Sequence, residues 1–520
     1  MNVMNKQGRP TVPAGEDESS AAPETFTGNR ALALEEPLLF EQSAEGRSGV
    51  DFAPVPEVKD RRGALSRSGT IGLPGVSEPQ VVRHYTRLSQ KNYAIDAGIF
   101  PLGSCTMKHN PRLNERMARL PGFSDIHPLQ PESTVQGALQ LMKELSRWLM
   151  TLTGMPAVAL SPGAGAHGEL TGMAAIRAAL EAKGEAGKRR KVLVPESAHG
   201  TNPATAASLG FEVAGIEEDE HGRVDLKAFE KSLGEDVAAI MLTNPNTCGV
   251  FEYDIRRIAD ALHEAGGYFY CDGANFNAIV GRVRPGDLGI DAMHLNLHKT
   301  FSTPHGGGGP GSGPVVYSEA LAPFAPVPRV EQDADGTLRL IERANGEAEQ
   351  AFGRVKGFHG QMGMFVRALA YMMSHGADGL RQVAEDSVLN ANYLKARLSE
   401  AFSLPYTDGP CMHEVLFDDS FLKGTGLSTL DFAKAMIDEG FHPMTMYFPL
   451  VVHGAMLVEP TETENKQSLD QFADALLGLA QAAKAGETER FTQAPRFAPR
   501  RRLDETQAAR KPVLRWKPAA

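Results

Sequence analysis

The chain has 520 residues, of which 42% are hydrophobic and 22% charged, and its formal charge is −11. This composition is typical of a globular protein and excludes disordered, collagen-like and disulfide-scaffold classes. At about 150 residues per domain, the length allows three or four units, or a large α/β enzyme of two domains with extensions. Nucleic-acid and anionic-membrane binders need clustered Lys and Arg, so the acidic balance favours a small-molecule enzyme or a protein-binding subunit, with neither nucleic acid nor membrane as partner.

Cysteine usage indicates a reducing, cytoplasmic setting. The four cysteines form no C-x-x-C pair and are too dilute for a disulfide framework; they are Cys105, Cys248, Cys271 and Cys411. The first 44 residues lack the apolar region of a secretory signal and are too acidic for a transit peptide. No stretch approaches the roughly 18 consecutive apolar residues of a spanning helix. The longest candidate, 448–458, is interrupted by Pro449 and predicts a buried strand with a turn.

The first third of the chain changes character twice. Residues 1–75 are rich in Gly, Pro, Ser and charge without apolar periodicity, and we expect a disordered or draped arm there. Residues 76–132 form an extension in which we expect an active-site loop, because special residue types crowd the run FPLGSCTMKHNP at 100–111. From Ser133 to Gly154, apolar residues recur every three or four positions, which predicts a helix.

Short apolar runs then alternate with amphipathic stretches. The predicted strands are 192–195, 238–243, 268–271 and 293–297, and the predicted helices between them include 170–183 and 255–265. This alternation predicts parallel βαβ units in a mostly parallel sheet covered on both faces. We therefore expect an α/β fold with its large domain at 133–375.

The last part of the chain predicts a second, smaller domain. A helical pattern from 380 to 402 leads into a mixed stretch, and we assign residues 376–486 to a small α+β C-terminal domain. Residues 487–520 carry nine basic residues among Pro, Gln and Ala, and we expect an extended basic tail there.

The most informative segment is 295–311, in which Lys299 follows a predicted strand and precedes a run of glycines. A lysine fixed at the end of a buried strand presents its amine to a site, and a desolvated amine can form a Schiff base with a carbonyl. Taken alone, the segment fits a surface lysine beside a flexible glycine linker equally well.

Asp272, twenty-seven residues earlier, ends another predicted strand. The carboxyl ends of parallel strands are where α/β proteins bind ligands. In an enzyme that uses pyridoxal 5′-phosphate, such a carboxylate pairs with the protonated ring nitrogen and keeps the ring an electron sink. Taken alone, Asp272 fits a helix N-cap better, but its combination with Lys299 favours the cofactor.

A glycine-rich turn, SPGAGAHGELT at 161–171, opens a predicted helix. The free N–H groups and the dipole at such a terminus suit the cofactor phosphate. The turn is weak evidence by itself, since many βα loops need glycine only for steric reasons. It also lacks the Lys-Ser/Thr of a Walker loop.

Two more predicted strands end in polar residues. His199 is placed to stack on the cofactor ring, while Thr243 and Asn244 are placed to bond the ring hydroxyl. A lone His or Asn-Pro is usually a turn residue, but four strand ends with polar groups exceed what a scaffold requires.

The predicted site has three catalytic residues, Lys299, Asp272 and His199, and no metal ligand. These three also belong to the predicted cofactor-binding set, whose other members are Gly163, Ala164, Gly165, His167, Thr243, Asn244, Ala274 and His298.

This order of elements resembles the fold-type-I pyridoxal-phosphate enzymes, the aspartate aminotransferase superfamily. Within it, five strings are similar to the glycine decarboxylase P-protein family: RHYTRLSQKN at 83–92, GSCTMKHNP at 103–111, AHGTNPAT at 198–205, NLHKTF at 296–301 and EPTETE at 459–464. The similarity spans residues 76–517. His109, Cys248 and the pair Ser302-Thr303 depart from the family pattern, but none of these positions is a proposed cofactor contact.

The resemblance implies decarboxylation of glycine with transfer of the aminomethyl group to the lipoyl arm of the carrier H-protein. The family occurs as one long chain or as two subunits, and a chain of this length resembles the second, cofactor-bearing subunit. It therefore implies a partner subunit 1 of the same fold in an α2β2 heterotetramer. His167 and His199 are unranked candidates for assisting the released thiol.

Two other functions remain open. One is another fold-type-I lyase or aminotransferase, against which the long strings argue. The other is a non-catalytic partner subunit, which has no need of Lys299 or Asp272. The residues that bind the glycine carboxylate are not identified, since Arg354 and Arg367 are candidates by charge type only.

Overall fold

The computed structural model describes residues 36–50, 52–54, 56–69, 71–306, 309–406, 409–498 and 501–517. The predicted arm, 1–75, therefore lies partly outside the described residues. Its described part is hydrogen-bonded to helix α1 (Glu78–Lys91). There the Glu36 carboxylate accepts two hydrogen bonds from Arg87, at 2.5 and 2.7 Å, and lies 2.9 Å from His84 Nδ1.

A seven-stranded sheet forms the centre of the molecule. Its strands are β1 Ala157–Ala159, β2 Lys191–Pro195, β3 Glu212–Ile216, β4 Val237–Thr243, β5 Tyr268–Gly273, β6 Ala292–Leu295 and β7 Val315–Tyr317. They lie in the order β1-β7-β6-β5-β4-β2-β3, and among these described strands only β7 runs against the others, pairing antiparallel with β1 and β6. The four predicted strands lie within two residues of β2, β4, β5 and β6, whereas β1, β3 and β7 are not predicted.

Both faces of the sheet are covered. Every residue of β4 is buried, and its side chains alternate between two cores. Ile240 and Leu242 pack into the core that contains Leu145 and Ile258, while Ala239 and Met241 pack into the one that contains Ile176. The helices of this part are α2 Arg112–Ala118, α3 Pro121–Ser124, α4 Gln136–Thr153, α5 Gly165–Ala182, α6 Thr201–Ser208, α7 Leu226–Ser232 and α8 Ile255–Glu264.

A hairpin, β8 (Arg329–Gln332) and β9 (Leu338–Ile341), precedes the long helix α9 (Met362–Leu398). Gly376 interrupts α9 with a left-handed φ of 64° and ψ of −172°. The predicted boundary between the two domains, 375/376, stays a prediction: Leu380, Val383 and Ala384 lie beyond this interruption but still pack into the core of the large sheet.

The C-terminal part has its own three-stranded antiparallel sheet and apolar core. Its elements are β10 Val415–Phe417, α10 Thr429–Asp438, β11 Thr445–Met446, β12 Met456–Val458 and α11 Lys466–Lys484. In the segment 448–458, predicted as a buried strand with a turn, the turn is followed by β12.

The predicted tail, 487–520, is extended over only part of its length. It begins with α12 (Thr488–Thr492), whose Phe491 completes the small-domain core. The backbone N–H groups of Arg496 and Phe497 donate to the Asp438 carboxylate at 2.7 and 2.9 Å. The exposed residues 501–517 carry α13 (Glu505–Arg510). Among the described residues, no helix is both long and apolar enough to cross a bilayer.

Candidate active site

Three buried polar side chains lie side by side where the central strands end. Thr243 of β4 is in register with Asp272 of β5, which is in register with His294 of β6. Because these strands are parallel, their carboxyl ends meet at one edge of the sheet, which is the ligand-binding edge of α/β folds.

A cavity of about 190 Å³ opens at this edge. Its lining includes seven of the eleven predicted site residues, namely Gly165, His199, Thr243, Asp272, Ala274, His298 and Lys299. It also includes polar side chains outside the predicted set, namely Ser104, Glu169, Thr201, Thr247, Asn275, His294 and Asn296. The other four predicted residues, Gly163, Ala164, His167 and Asn244, are not part of this lining.

Lys299 lies in the turn after β6 with 8% of its surface exposed. Its Nζ donates a hydrogen bond of 2.5 Å to the carbonyl oxygen of Ser104, in the loop that the sequence places near the site. The amine is therefore enclosed and faces the cavity.

Asp272, which is 4% exposed, is surrounded by donors. Its carboxylate accepts from the Ala274 N–H at 2.9 Å and from Asn202 Nδ2 at 3.2 Å, and His294 Nε2 lies 3.4 Å away. Burial raises the pKa of Tyr270, so its hydroxyl keeps its proton and donates to His294 Nδ1 at 2.6 Å. Burial lowers the pKa of His294, so its neutral imidazole carries a single N–H proton, which is then on Nε2 and faces Asp272.

Glu169 is a second buried carboxyl in the cavity wall. Burial, and then the neighbouring Asp272, raise its pKa to about 8. The hydroxyl of Thr201 donates to one of its oxygens at 2.7 Å. Glu169 therefore holds a proton at neutral pH.

This pKa shift predicts a pH-dependent loss of stability. The unfolded chain releases the Glu169 proton near pH 4.5, whereas the folded protein holds it until about pH 8. The free energy of unfolding thus falls as pH rises between these values, by up to about 1.4 kcal/mol per pH unit. Glu169→Gln removes this contribution, so urea unfolding of the cofactor-free protein from about pH 5 to pH 8 is expected to show a flatter profile for the variant. Parallel profiles would contradict the shift; Glu181→Gln, at an exposed pair with Arg177, is the control.

The predicted phosphate turn lies at the N-terminus of α5, next to the cavity. A Cβ on Gly165 would lie 2.5 Å from Asn296 Oδ1, so the glycine lets the Asn296 side chain lie directly against the start of the helix. Gly163 donates its N–H to His167 Nδ1 at 3.1 Å, which explains why His167 does not face the cavity. Lys356, which the sequence analysis did not select, has its Nζ beside Gly163, 2.6 Å from where a Cβ would be.

Two histidines of the prediction lie at different depths. His199 is exposed at the cavity mouth, where its Nδ1 lies 2.8 Å from Thr201 Oγ1 and its ring meets the edge of Phe448. Burial, and then Lys299, lower the pKa of His298 to about 3, so its imidazole is neutral. Asn244 is buried below the site, where its side-chain oxygen accepts from the Glu252 N–H.

Both arginines considered for the substrate carboxylate are engaged elsewhere. Arg367 forms a two-pronged ion pair with Glu115 at 2.7 and 2.9 Å. Arg354 lies 3.6 Å from Glu342. Neither lines the cavity.

Two family models match the chain: "Glycine dehydrogenase, C-terminal domain" over residues 383–498 and "Aminotransferase class-V" over residues 169–309. The probable glycine dehydrogenase (decarboxylating) subunit 2 of Caulobacter vibrioides is 68% identical over 520 residues, covering 99% of both chains. The protein of the same name from Listeria monocytogenes is 50% identical over 492 residues, covering 93% of this chain and 99% of that one.

The fold is similar to that of solved structures. A crystal structure of glycine decarboxylase (P-protein) of the glycine cleavage system, in inhibitor-bound form, matches with a TM-score of 0.66 and 23% identity, covering 81% of this chain and 93% of that one. A cysteine desulfurase from Thermococcus onnurineus matches with a TM-score of 0.56 and 15% identity, covering 76% and 96%. These likenesses confirm the predicted α/β, fold-type-I class.

Proposed function

Since the chain belongs to the glycine dehydrogenase (decarboxylating) subunit 2 family, we propose that the cavity around Lys299 is where glycine loses its carboxylate. The predicted activity and cofactor follow from the family: the protein is a pyridoxal-phosphate enzyme of the glycine cleavage system. We choose this site because the Lys299 amine and the Asp272 carboxylate line the same buried cavity at the edge of the sheet.

The described residues fit this cofactor. Thr243 Oγ1 and Asn296 Oδ1 face the cavity region, buried and without a hydrogen-bond partner in the described chain, so a polar ligand is expected to satisfy them. Lys299 would hold the cofactor aldehyde, Asp272 the ring nitrogen, and the N-terminus of α5 the phosphate. Once bound, pyridoxal phosphate supplies the electron sink for breaking the bond between the glycine α-carbon and its carboxylate.

The protein's own groups prepare and control this chemistry. Lys299 gives up and takes back protons at Nζ, inside a pocket that excludes most water. Asn202 and the Ala274 N–H orient the Asp272 carboxylate. Glu169 stays protonated near neutral pH, so it adds no negative charge to this wall of the cavity. His199, at the mouth, is positioned to cover the face of the ring.

We further propose that the acceptor is the lipoyl arm of the H-protein. The aminomethyl carbon left after carbon dioxide departs bonds to one sulfur of the arm's disulfide, the S–S bond breaks, and the second sulfur takes up a proton. His199 is the better placed of the two histidines considered for this proton, because it is exposed at the mouth, whereas His167 Nδ1 accepts a backbone hydrogen bond.

The partner is proposed to be a subunit 1 of the same fold, in an α2β2 assembly. The family name supports the existence of a partner. The exposed apolar side chains of the described arm support a partner surface, since exposed apolar surface on a protein often marks an interaction site. They include Phe52 at 85%, Leu65 at 89% and Leu73 at 75% exposure. The tail reaches the same region, where Trp516 stacks on Phe40 at 4.9 Å. A cytoplasmic location is proposed because all four thiols are unpaired.

The test is exchange of labelled bicarbonate into amino-acid carboxyl groups by the purified chain, with and without subunit 1, in the presence of lipoylated H-protein. We expect exchange into glycine only, and only with subunit 1 present. Equal exchange into alanine or serine, or accumulation of pyridoxamine phosphate, would favour a different fold-type-I enzyme. No exchange by an assembled, cofactor-loaded complex would favour a non-catalytic subunit.

A further inference from the structure

Three glutamates of the small domain hold the loop that touches Lys299, which we call loop 103–108 after its residues. Glu414 Oε2 accepts the Ser104 N–H at 2.6 Å. Glu459 Oε1 accepts the Thr106 hydroxyl at 2.5 Å. Glu462 Oε1 accepts from Lys108 Nζ at 2.7 Å. Alternate residues of the loop, Ser104, Thr106 and Lys108, are therefore each hydrogen-bonded to a glutamate.

The loop also docks on the small-domain sheet. Gly103 donates its N–H to the Leu457 carbonyl at 3.2 Å and accepts from Thr445 Oγ1 at 2.9 Å. A Cβ at Gly103 would lie 2.2 Å from Leu457 Cγ, so glycine alone permits this contact. The start of the loop is consequently fixed to the small domain.

The opposite side of the loop contacts the large domain at Lys299. The Ser104 carbonyl accepts the hydrogen bond of 2.5 Å from Lys299 Nζ. Lys108 Nζ donates to the Thr300 carbonyl at 2.8 Å and to Asn277 Oδ1 at 2.9 Å. Loop 103–108 thus joins the small domain to Lys299 and Thr300 in the turn after β6.

Ser104 is held in an uncommon conformation at the centre of this junction. Its φ of 61° lies in the left-handed region, which costs a non-glycine residue free energy unless its surroundings impose it. The surroundings here are Glu414 at the Ser104 N–H and Lys299 at the Ser104 carbonyl. Glu414 is fully buried, so its bond to Ser104 is not exchanged for water.

The side chains around Glu414 are unusual for a purely structural cluster. His413, Glu414 and Glu459 are all fully buried, with polar atoms within 4.8 Å of one another. Such a set could ligate a divalent cation, but one carboxylate oxygen of each glutamate already accepts from the loop, and Lys299 acts electrostatically on all three residues. The arrangement fits a hydrogen-bonded support for the loop better than a metal site.

We propose that Glu414 is a positioning residue for Lys299. By holding the Ser104 N–H, it fixes the Ser104 carbonyl, which in turn aims the Lys299 amine at the incoming cofactor aldehyde. The small domain thereby controls how fast Lys299 captures the cofactor. This inference rests on the proposed role of Lys299.

The experiment measures the capture rate separately from binding. The full chain, purified with subunit 1 and stripped of cofactor, is mixed with pyridoxal phosphate, and formation of the covalent link is followed by absorbance. Binding is measured with pyridoxamine 5′-phosphate, which has no aldehyde. Glu414→Leu is expected to slow capture about tenfold, since small misplacements of a reacting group are costly, while the affinity for pyridoxamine phosphate stays within about twofold.

Three further variants make the result decisive. Glu414→Gln keeps an acceptor for the Ser104 N–H and is expected to restore the wild-type rate. Thr106→Val removes the loop's bond to Glu459 with little change in volume, and is expected to slow capture about threefold. Glu439→Gln, at a buried pair with Arg490 in the same domain, is the control and leaves capture unchanged.

An unchanged capture rate in Glu414→Leu would overturn the proposal, as would a Glu414→Gln variant as slow as Glu414→Leu. If Glu414→Leu does not fold, an unchanged rate in Thr106→Val overturns it instead. Lys299→Ala separates this inference from its premise: covalent capture that survives in that variant contradicts the role of Lys299, whatever the Glu414 variants do.

Discussion

Lys299→Ala is expected to abolish covalent attachment of pyridoxal phosphate and to lower glycine–bicarbonate exchange by at least about 10²-fold. Lys299 is the lysine in the cavity lining, and its amine is enclosed within 2.5 Å of the Ser104 carbonyl. Alanine removes both the group that holds the aldehyde and the group that moves protons at that point. The measurement is the cofactor absorbance of the purified complex, before and after borohydride reduction, followed by peptide mapping.

In the wild-type protein, the reduced label is expected on the peptide that contains Lys299. Lys466→Ala is the matched control, because that lysine is 72% exposed and pairs with Asp470 on the surface of the small domain. A labelled peptide from elsewhere in the chain, or full exchange in Lys299→Ala, would show that the Schiff base forms at another lysine.

Local sequence patterns were sufficient to find the four strands that carry the site. Each is a short, largely apolar run ending in a polar residue or turn, as is typical of strands that are buried on both faces of a sheet. Asp272 and Thr243 could be placed at the ligand edge because parallel strands end on the same side. Nothing beyond strand direction was needed for this step.

The residues that were missed depend on register and on contacts between distant segments. His294 meets Asp272 only because β5 and β6 pair in one register. Because a histidine is unusual within an apolar strand such as β6, the sequence could have indicated His294 as a site residue. Glu169 becomes a cavity residue through its helix packing, and a single carboxyl near a helix start is ordinarily an exposed N-terminal residue. Ser104 reaches Lys299 across 195 positions, which no local pattern encodes.

The predicted tail also differs from the structure because of a contact between distant segments of the chain. Charge and proline content predicted an extended tail from residue 487, but Phe491 is fully buried in the small-domain core. One apolar side chain that completes a core outweighs the polar composition around it, because its burial stabilises the fold by about 1.5–3 kcal/mol. A prediction from composition averages over many residues, so the effect of the single residue Phe491 does not appear in it.

Asp272→Asn is expected to retain the covalent cofactor link but to lower glycine turnover by about 10²–10³-fold. Asparagine has nearly the same shape and can still accept from the Ala274 N–H, so the pocket is preserved. It carries no negative charge, however, and therefore cannot stabilise a protonated ring nitrogen. The measurement is a comparison of cofactor absorbance, thermal stability and bicarbonate exchange in the same preparation.

Asp291→Asn is the control for this variant. Asp291 is also a buried carboxylate next to β6, where it accepts from the Phe269 N–H and lies 2.8 Å from His263 Nε2, but it does not line the cavity. Its substitution is expected to lower stability without lowering turnover per bound cofactor. The role of Asp272 requires the opposite pattern, a cofactor bound normally and a slow reaction. If Asp272→Asn turns over glycine at close to the wild-type rate, the charge that sustains the electron sink must come from another group of the cavity wall.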